Sequence, residues 1–101
     1  MAELLDQDAI DDALTARAGW SGDPARLTRS IEFADFLTAV EFVGRLAPRC
    51  EDLDHHPDLD LRWRRVDVSL TTHSAGGVTA KDVELAGVVD EVAAGLPLAG
   101  G

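Results

Sequence analysis

The spacing of the apolar residues alternates between a helical and a strand-like period along this chain, and that order restricts the possible folds. From Asp35 onward, apolar residues follow one another at steps of four and three, which keeps one face of a helix buried. The predicted buried face comprises Phe36, Val40, Val43, Ala47 and Cys50. Pro48 lies inside this pattern and has no backbone donor. The sequence therefore predicts a kink there, or a helix that stops and restarts before Leu53.

Strand-like alternation flanks this central helix on both sides. Before it, residues 27–33 alternate, and a turn at Ser21–Pro24 is predicted to join them to a shorter strand. After it, apolar residues occupy positions 61 and 63 and then positions 66, 68 and 70. Since a slip of one residue exchanges the two faces of a strand, this change of phase predicts a bulge or bend near Arg64 and Arg65.

Two further helices are predicted near the ends of the chain. The first covers residues from about 3 to 18, where apolar residues stand among acids and Asp6 or Asp8 can serve as the N-cap. The second begins at Thr79, which with Asp82 resembles a capping box, and continues through Val92. Its predicted buried stripe comprises Leu85, Ala86, Val89 and Val92.

The order of these elements predicts an α+β fold, in which helices pack against one face of an antiparallel sheet. A length of 101 residues suits one domain, which we place at residues 1–94. Residues 95–101 are small, so we expect them to form a flexible C-terminal tail.

Charge and cysteine content restrict the function. Nine basic residues stand against 19 acidic ones, and the resulting net charge of −10 disfavours binding to nucleic acid or to anionic lipid surfaces. Cys50 is the only cysteine, so no internal disulfide can form, and we expect a cytoplasmic protein. Neither a secretory signal nor an apolar run long enough to span a membrane is visible.

The three histidines are the candidate chemical groups. His55 and His56 precede Pro57 where the central helix should end, and His73 stands at the end of the long strand. If that strand pairs back toward the helix end, the three imidazoles meet in one cleft. They would then suit general acid/base chemistry near neutral pH. A structural role at the helix terminus and a metal site with nearby carboxylates remain open from these residues alone.

A series of spaced residues resembles the pterin-4a-carbinolamine dehydratases. The resemblance rests on the segment Glu51-Asp-Leu-Asp-His55-His56-Pro57, on an aromatic residue at Trp63, and on Leu70-Thr-Thr-His73, followed by Gly77-Val-Thr79 and Asp82. It extends more loosely to Arg29 and Phe33, and so covers residues 20–93. This chain departs from many relatives at Leu59, where they carry an aromatic residue, and at Pro48.

The resemblance implies a four-stranded antiparallel sheet with helices on one side, and a dimer or dimer of dimers. It implies dehydration of 4a-hydroxytetrahydropterin to quinonoid dihydropterin, in tetrahydrobiopterin recycling that serves an aromatic amino-acid hydroxylase. No metal or organic cofactor is implied. His56 and His73 would be the acid and base, and His55 would hold the pterin and assist proton transfer, so that all three histidines are predicted as catalytic. The matching substrate-binding positions are Glu51, Asp54, Pro57, Thr72 and Asp82.

Some of these residues have a structural interpretation as well. Asp82 can act as a helix-capping acid, and Trp63 can serve core or interface packing. Relatives of this fold also include partners of transcription factors and assembly factors for other enzymes. A protein-binding or assembly module without catalysis is therefore the alternative function, and a metal-dependent hydrolase or lyase is a third.

Overall fold

The computed structural model describes residues 3–100 and contains three helices and four strands. The elements follow in the order α1 (Gln7–Leu14), β1 (Ser21–Asp23), β2 (Arg26–Glu32), α2 (Phe36–Leu53), β3 (Asp58–Arg62), β4 (Arg65–Leu70) and α3 (Ala80–Ala94), with a short 3-10 turn at His73–Ala75. The strands form one antiparallel sheet in the order β1-β2-β4-β3. The predicted α+β fold with helices on one face of a four-stranded antiparallel sheet is confirmed.

The core lies between one face of the sheet and the helices α2 and α3. Alternate residues of the two central strands point into it, and the facing side chains come from the two helices. The buried side chains are Leu27 and Ile31 of β2, Val66, Val68 and Leu70 of β4, Phe42 and Leu46 of α2, and Leu85 and Val89 of α3. The opposite face of the sheet is polar. Among the described residues, no helix is long and apolar enough to cross a membrane.

The predicted buried face of α2 is confirmed at Cys50 and wrong at Phe36, Val40 and Ala47, which are exposed. Ala39, Phe42, Leu46 and Cys50 are the buried residues, whereas Phe36 and Val40 remain 48% and 43% exposed. Both sets are apolar at helical spacing, so packing against the sheet, and not the pattern itself, decides which set is buried. An apolar strip along α2 is thus left at the surface.

The expected stop and restart at Pro48 does not occur. The helix runs without interruption from Phe36 to Leu53. Proline removes the donor that would bond to the carbonyl of Gly44, but both residues lie on the exposed side of the helix, where water can satisfy that carbonyl.

The predicted bulge near Arg64 and Arg65 is a hairpin instead. Strands β3 and β4 pair in register from Asp58↔Ser69 to Arg62↔Arg65, with a two-residue loop between them. Trp63 in that loop adopts a left-handed conformation, with φ of 54°, and is 68% exposed. The interpretation of Trp63 as a core residue is therefore wrong. The change of apolar phase arises because the chain turns back on itself.

Two other boundaries differ from expectation. Ser21–Asp23 forms strand β1, and the turn lies at residues 24 and 25, where the Asp23 side chain accepts a hydrogen bond from the Ala25 amide at 2.7 Å. Helix α1 is shorter than predicted because it begins only after its N-cap, Asp6, whose side chain accepts from the Ala9 amide at 2.9 Å. Asp6, rather than Asp8, is thus the cap.

The C-terminal part of the chain contains the predicted capping box. Thr79 and Asp82 make both of its reciprocal hydrogen bonds at the start of α3. In the buried stripe of this helix, Ala93 is buried and Val92 only partly so. The boundary of the domain at residue 94 stays a prediction.

Residues just past that boundary contact the sheet. Leu96 is buried, Leu98 bridges to Phe33, and the Ala99 amide donates to the carbonyl of Glu32 at 3.0 Å. Residues 1, 2 and 101, which the predicted domain and tail include, lie outside the described residues.

Candidate active site

The end of α2 places two adjacent histidines in different surroundings. Asp54 adopts a left-handed conformation, with φ of 50° and ψ of 41°. Its amide bonds to the Glu51 carbonyl and the His55 amide to the Cys50 carbonyl, both at 3.1 Å. This pair of bonds is a Schellman motif, which reverses the chain direction at a helix end. After the reversal His55 is buried and His56 is exposed.

The buried carboxylate of Asp82 holds the His55 ring in place. Asp82 has no exposed surface, and its Oδ1 lies 2.6 Å from His55 Nε2. Its Oδ2 accepts from Thr72 Oγ1 at 2.7 Å and from the Thr79 amide at 2.9 Å. Because an ionised carboxylate can only accept, His55 donates from Nε2. Nδ1 is then the ring nitrogen of His55 that does not contact Asp82.

His56 pairs with the carboxylate of Glu51, one turn back on α2. Both side chains are exposed. His56 also forms part of the wall of an apolar cavity of about 360 Å³, which lies between α2 and the start of β3. The other residues of that wall are Val43, Leu46, Ala47, Cys50, Glu51, Pro57 and Leu59.

His73 begins the 3-10 turn that follows β4. The turn closes through the Gly76 amide, which bonds to the carbonyls of Thr72 at 3.0 Å and His73 at 3.2 Å. Gly76 adopts φ of 81°, a left-handed conformation that glycine accepts without strain. The next residue, Gly77, forms an antiparallel β-bridge with Thr72. The turn thus presents an exposed His73 at the end of the sheet.

The three histidines line one polar cleft of about 310 Å³. We call this cavity the histidine cleft. Its other wall residues are Asp54, Thr71, Thr72, Ser74 and Lys81. The end of α2, the turn after β4 and the start of α3 therefore converge here, although the histidines are up to 18 positions apart in the sequence. Groups that can give and take protons surround the space for a ligand.

The predicted substrate-binding residues do not all lie in one cavity. Asp54 and Thr72 line the histidine cleft, while Pro57 and Glu51 line the adjoining apolar cavity. Asp82 lines neither of these cavities and reaches the cleft only through its contacts with His55 and Thr72. Their roles in binding a substrate stay predictions.

Two residues of the cleft wall, Ser74 and Lys81, were not predicted as site residues from the sequence. Ser74 directly follows His73, and Lys81 directly precedes Asp82 inside the predicted capping box. Adjacency to two candidate residues is the only signal in the sequence that could have indicated them.

The cysteine beside the apolar cavity has a perturbed thiol. Burial, and secondarily the negative charge of Glu51, raise the pKa of Cys50 above its ordinary value. At neutral pH this thiol therefore stays protonated. Within residues 3–100, no group of three or more His, Cys, Asp or Glu side chains is arranged to hold a metal ion.

A model of the family described as pterin 4 alpha carbinolamine dehydratase matches residues 3–92 of this chain. The chain belongs to this family. The predicted resemblance is thereby confirmed, and it extends over nearly the whole length of the protein.

Individual relatives agree with the assignment to the dehydratase family. A Mycobacterium protein (strain KMS) is 48% identical over 92 residues, which are 91% of this chain and 97% of the relative. A Thermosynechococcus vestitus protein is 44% identical over 93 residues, covering 92% and 98%. Both are named as pterin-4-alpha-carbinolamine dehydratases by inference, so their names support the family and leave the activity to be demonstrated.

Solved structures show the same fold. A Brucella melitensis protein, described as a transcriptional coactivator/pterin dehydratase, superposes with a TM-score of 0.86 at 39% identity, covering 90% of this chain and 99% of that one. A pterin dehydratase-like protein described as a RuBisCO assembly factor superposes with a TM-score of 0.60 at 23% identity, covering 73% and 86%. The second likeness extends to the fold alone.

Proposed function

We propose that this member of the family is a 4a-hydroxytetrahydropterin dehydratase that works by histidine acid/base catalysis. The observation that carries the proposal is the convergence of His55, His56 and His73 on one cleft. Family membership supplies the substrate class, since the family takes its name from this reaction. The product is the quinonoid dihydropterin, which tetrahydrobiopterin recycling consumes.

The elimination needs two proton-handling groups on opposite sides of the reacting atoms. One group protonates the 4a-hydroxyl, so that the C4a–O bond breaks and water leaves. The other takes the proton from N5, whose electrons form the new C4a–N5 double bond. Imidazole suits both tasks near neutral pH. His56 and His73 are the proposed pair, because both are exposed along the cleft.

His55 has a different proposed task. It is buried and held by Asp82, so it offers a fixed ring nitrogen that can position the pterin. We assign Asp82 as a positioning residue, because the carboxylate has no surface from which to contact a ligand. Glu51 would orient His56 in the same way through the contact between their side chains. Asp54 and Thr72 remain the candidates for direct contact with the substrate.

Rapid kinetics with chemically generated 4a-hydroxytetrahydropterin tests the proposal. We expect the wild-type chain to accelerate dehydration over the uncatalysed reaction, and the double variant His56→Ala/His73→Ala to lose this acceleration. Arg45→Ala is the matched control, since Arg45 is exposed on α2 and lies outside both cavities. Unchanged turnover in the histidine double variant would refute the mechanism.

We also propose that the chain self-associates in the cytoplasm, in functional connection with an aromatic amino-acid hydroxylase. Support for self-association comes from the exposed apolar side chains on α2, among which Leu37 is 77% exposed. A surface strip of this kind is common at protein interfaces. Light scattering of the purified chain tests the oligomeric state, and a monomer at micromolar concentration would contradict it.

A protein-binding or assembly role is the second candidate function. It is favoured by the description of the Brucella melitensis relative as both a coactivator and a dehydratase. Affinity capture from the native host distinguishes the two. A stoichiometric partner together with absent pterin turnover supports the assembly role, whereas turnover that survives exhaustive chelation supports the dehydratase and rules out the metal-dependent alternative.

A further inference from the structure

Lys81 carries a charge that the fold itself does not use. It is the only lysine of the chain, and it lines the histidine cleft. Seven of the eight arginines pair with a carboxylate. Arg26 instead donates to Ser69 Oγ at 3.4 Å on the polar face of the sheet. Within residues 3–100, Lys81 has neither an ion pair nor a side-chain hydrogen bond.

The position of Lys81 in α3 makes its charge unfavourable for the helix. Lys81 is the second residue of α3, where the helix dipole is positive and a cation is destabilising. The backbone of Lys81 is already satisfied, because its amide donates to Thr79 Oγ1 at 3.2 Å. The side chain is exposed. Helix formation and core packing therefore give no reason for an ammonium group at this place.

The same cleft holds an acidic side chain that does not form an ion pair with Lys81. Asp54 lines the cleft, and no ion pair joins it to Lys81. A carboxylate suits the amino and N3–H donors on the pyrimidine edge of a pterin, because it can only accept hydrogen bonds. The ammonium group can only donate, so it suits an acceptor or an anion elsewhere on the same ligand. The cleft thus offers opposite charges to two parts of one molecule.

An anionic part of the ligand fits Lys81 better than a neutral one. The chain carries a net charge of −10, which repels anions from the surface as a whole. An uncompensated cation in the cleft offsets that repulsion at the place where the ligand enters. Building on the proposed dehydratase function, we propose that Lys81 lets the cleft bind a second group of pterins beside the neutral one of tetrahydrobiopterin recycling, namely those whose C6 substituent carries a phosphate or a carboxylate.

Binding measurements with three dihydropterins test this proposal without turnover. The probes are 6-hydroxymethyl-7,8-dihydropterin, its monophosphate ester and 6-carboxy-7,8-dihydropterin, each titrated calorimetrically into the full chain at low salt. We expect the wild type to bind at least one anionic probe roughly fivefold more tightly than the neutral one, as for a partly exposed ion pair. A preference for only one anionic probe identifies the group that is recognised.

Variants separate a charge effect from a general loss of binding. We expect Lys81→Gln to bind the anionic and neutral probes with equal affinity. Arg26→Gln is the matched control. Arg26 is the other basic residue that does not pair with a carboxylate, and it lines a cavity on the polar face of the sheet, away from the helices. That variant should keep the preference. Salt at about 0.3 M should weaken the preference in the wild type.

Two outcomes would overturn the inference. One is a wild type that binds all three probes with equal affinity. The other is a Lys81→Gln variant whose affinity for all three probes falls by the same factor, which would mean that the ammonium group contacts the pterin ring and not the C6 substituent. Both leave the proposed dehydratase function intact, because the kinetics of dehydration by the wild-type chain test that function separately.

Discussion

Replacing Asp82 with Asn tests the assembly of the site, because this carboxylate joins three segments of the chain. Its two oxygens accept three hydrogen bonds, from His55, Thr72 and the Thr79 amide. An amide has one accepting oxygen and one donating nitrogen. If the oxygen keeps Thr72 and Thr79, the nitrogen faces His55 Nε2, which must then give up its proton. Asp82→Asn therefore moves the proton of His55 to Nδ1.

The variant should cost both stability and activity. A buried hydrogen bond to a charged group contributes roughly 1.5–3 kcal/mol, so we expect the free energy of unfolding to fall by about 2 kcal/mol. That corresponds to a decrease of about 10 °C in melting temperature for a domain of this size. Turnover should fall about a hundredfold, since the His55 ring that positions the pterin then presents a donor where it had an acceptor, and a misplaced substrate reacts that much more slowly.

Urea unfolding measures the loss of stability, and nitrogen NMR of the histidines shows which ring nitrogen of His55 carries the proton. Asp12→Asn is the matched control, because Asp12 is an exposed carboxylate on α1, far from the cleft in the sequence. It should leave both quantities unchanged. The reasoning would be refuted if Asp82→Asn were as stable as this control and His55 still carried its proton on Nε2.

Three further predictions concern single residues away from this network. Trp63→Asn should raise the free energy of unfolding by about 0.5 kcal/mol in urea titrations, because asparagine tolerates the left-handed conformation better than tryptophan; a loss of stability would contradict this. Cys50 should react with iodoacetamide at pH 8 at least tenfold more slowly in the folded chain than in urea, since burial and the charge of Glu51 raise the pKa of its thiol; equal rates would contradict this. Hydrogen bonds from Thr38 lower the pKa of Asp35, so its stabilisation of α2 is present above the ordinary value of 3.8 and is lost as the pH falls through the lower folded value. The stability that Asp35→Ala loses relative to wild type should therefore be larger at pH 7 than at the acid end of a urea titration series, and a loss that does not change with pH would contradict the assignment.

Features fixed by local chemistry were predictable from the sequence. The capping box of Thr79 and Asp82 depends on two residues three positions apart, and it forms as expected. The alternation in β2 and β4 correctly predicts which residues face the core, because the period of a strand leaves only two choices. The fold class followed from the order of such elements.

Features decided by packing were not predictable in the same way. Two apolar stripes run along α2, and only the sheet beneath it determines that Phe42 and not Val40 is buried. The hairpin between β3 and β4 escaped detection because Trp63 occupies a position where glycine or asparagine is the usual signal. Lys81 was missed because its importance depends on the cleft that surrounds it.

A crystal structure of the chain with a bound 7,8-dihydropterin tests the central claim most directly. The account predicts that the pterin lies in the histidine cleft, with its N5 and C4a edge between His56 and His73 and its ring held by His55. A pterin bound to the polar face of the sheet, or one whose N5 lies beyond hydrogen-bond reach of all three rings, would contradict it.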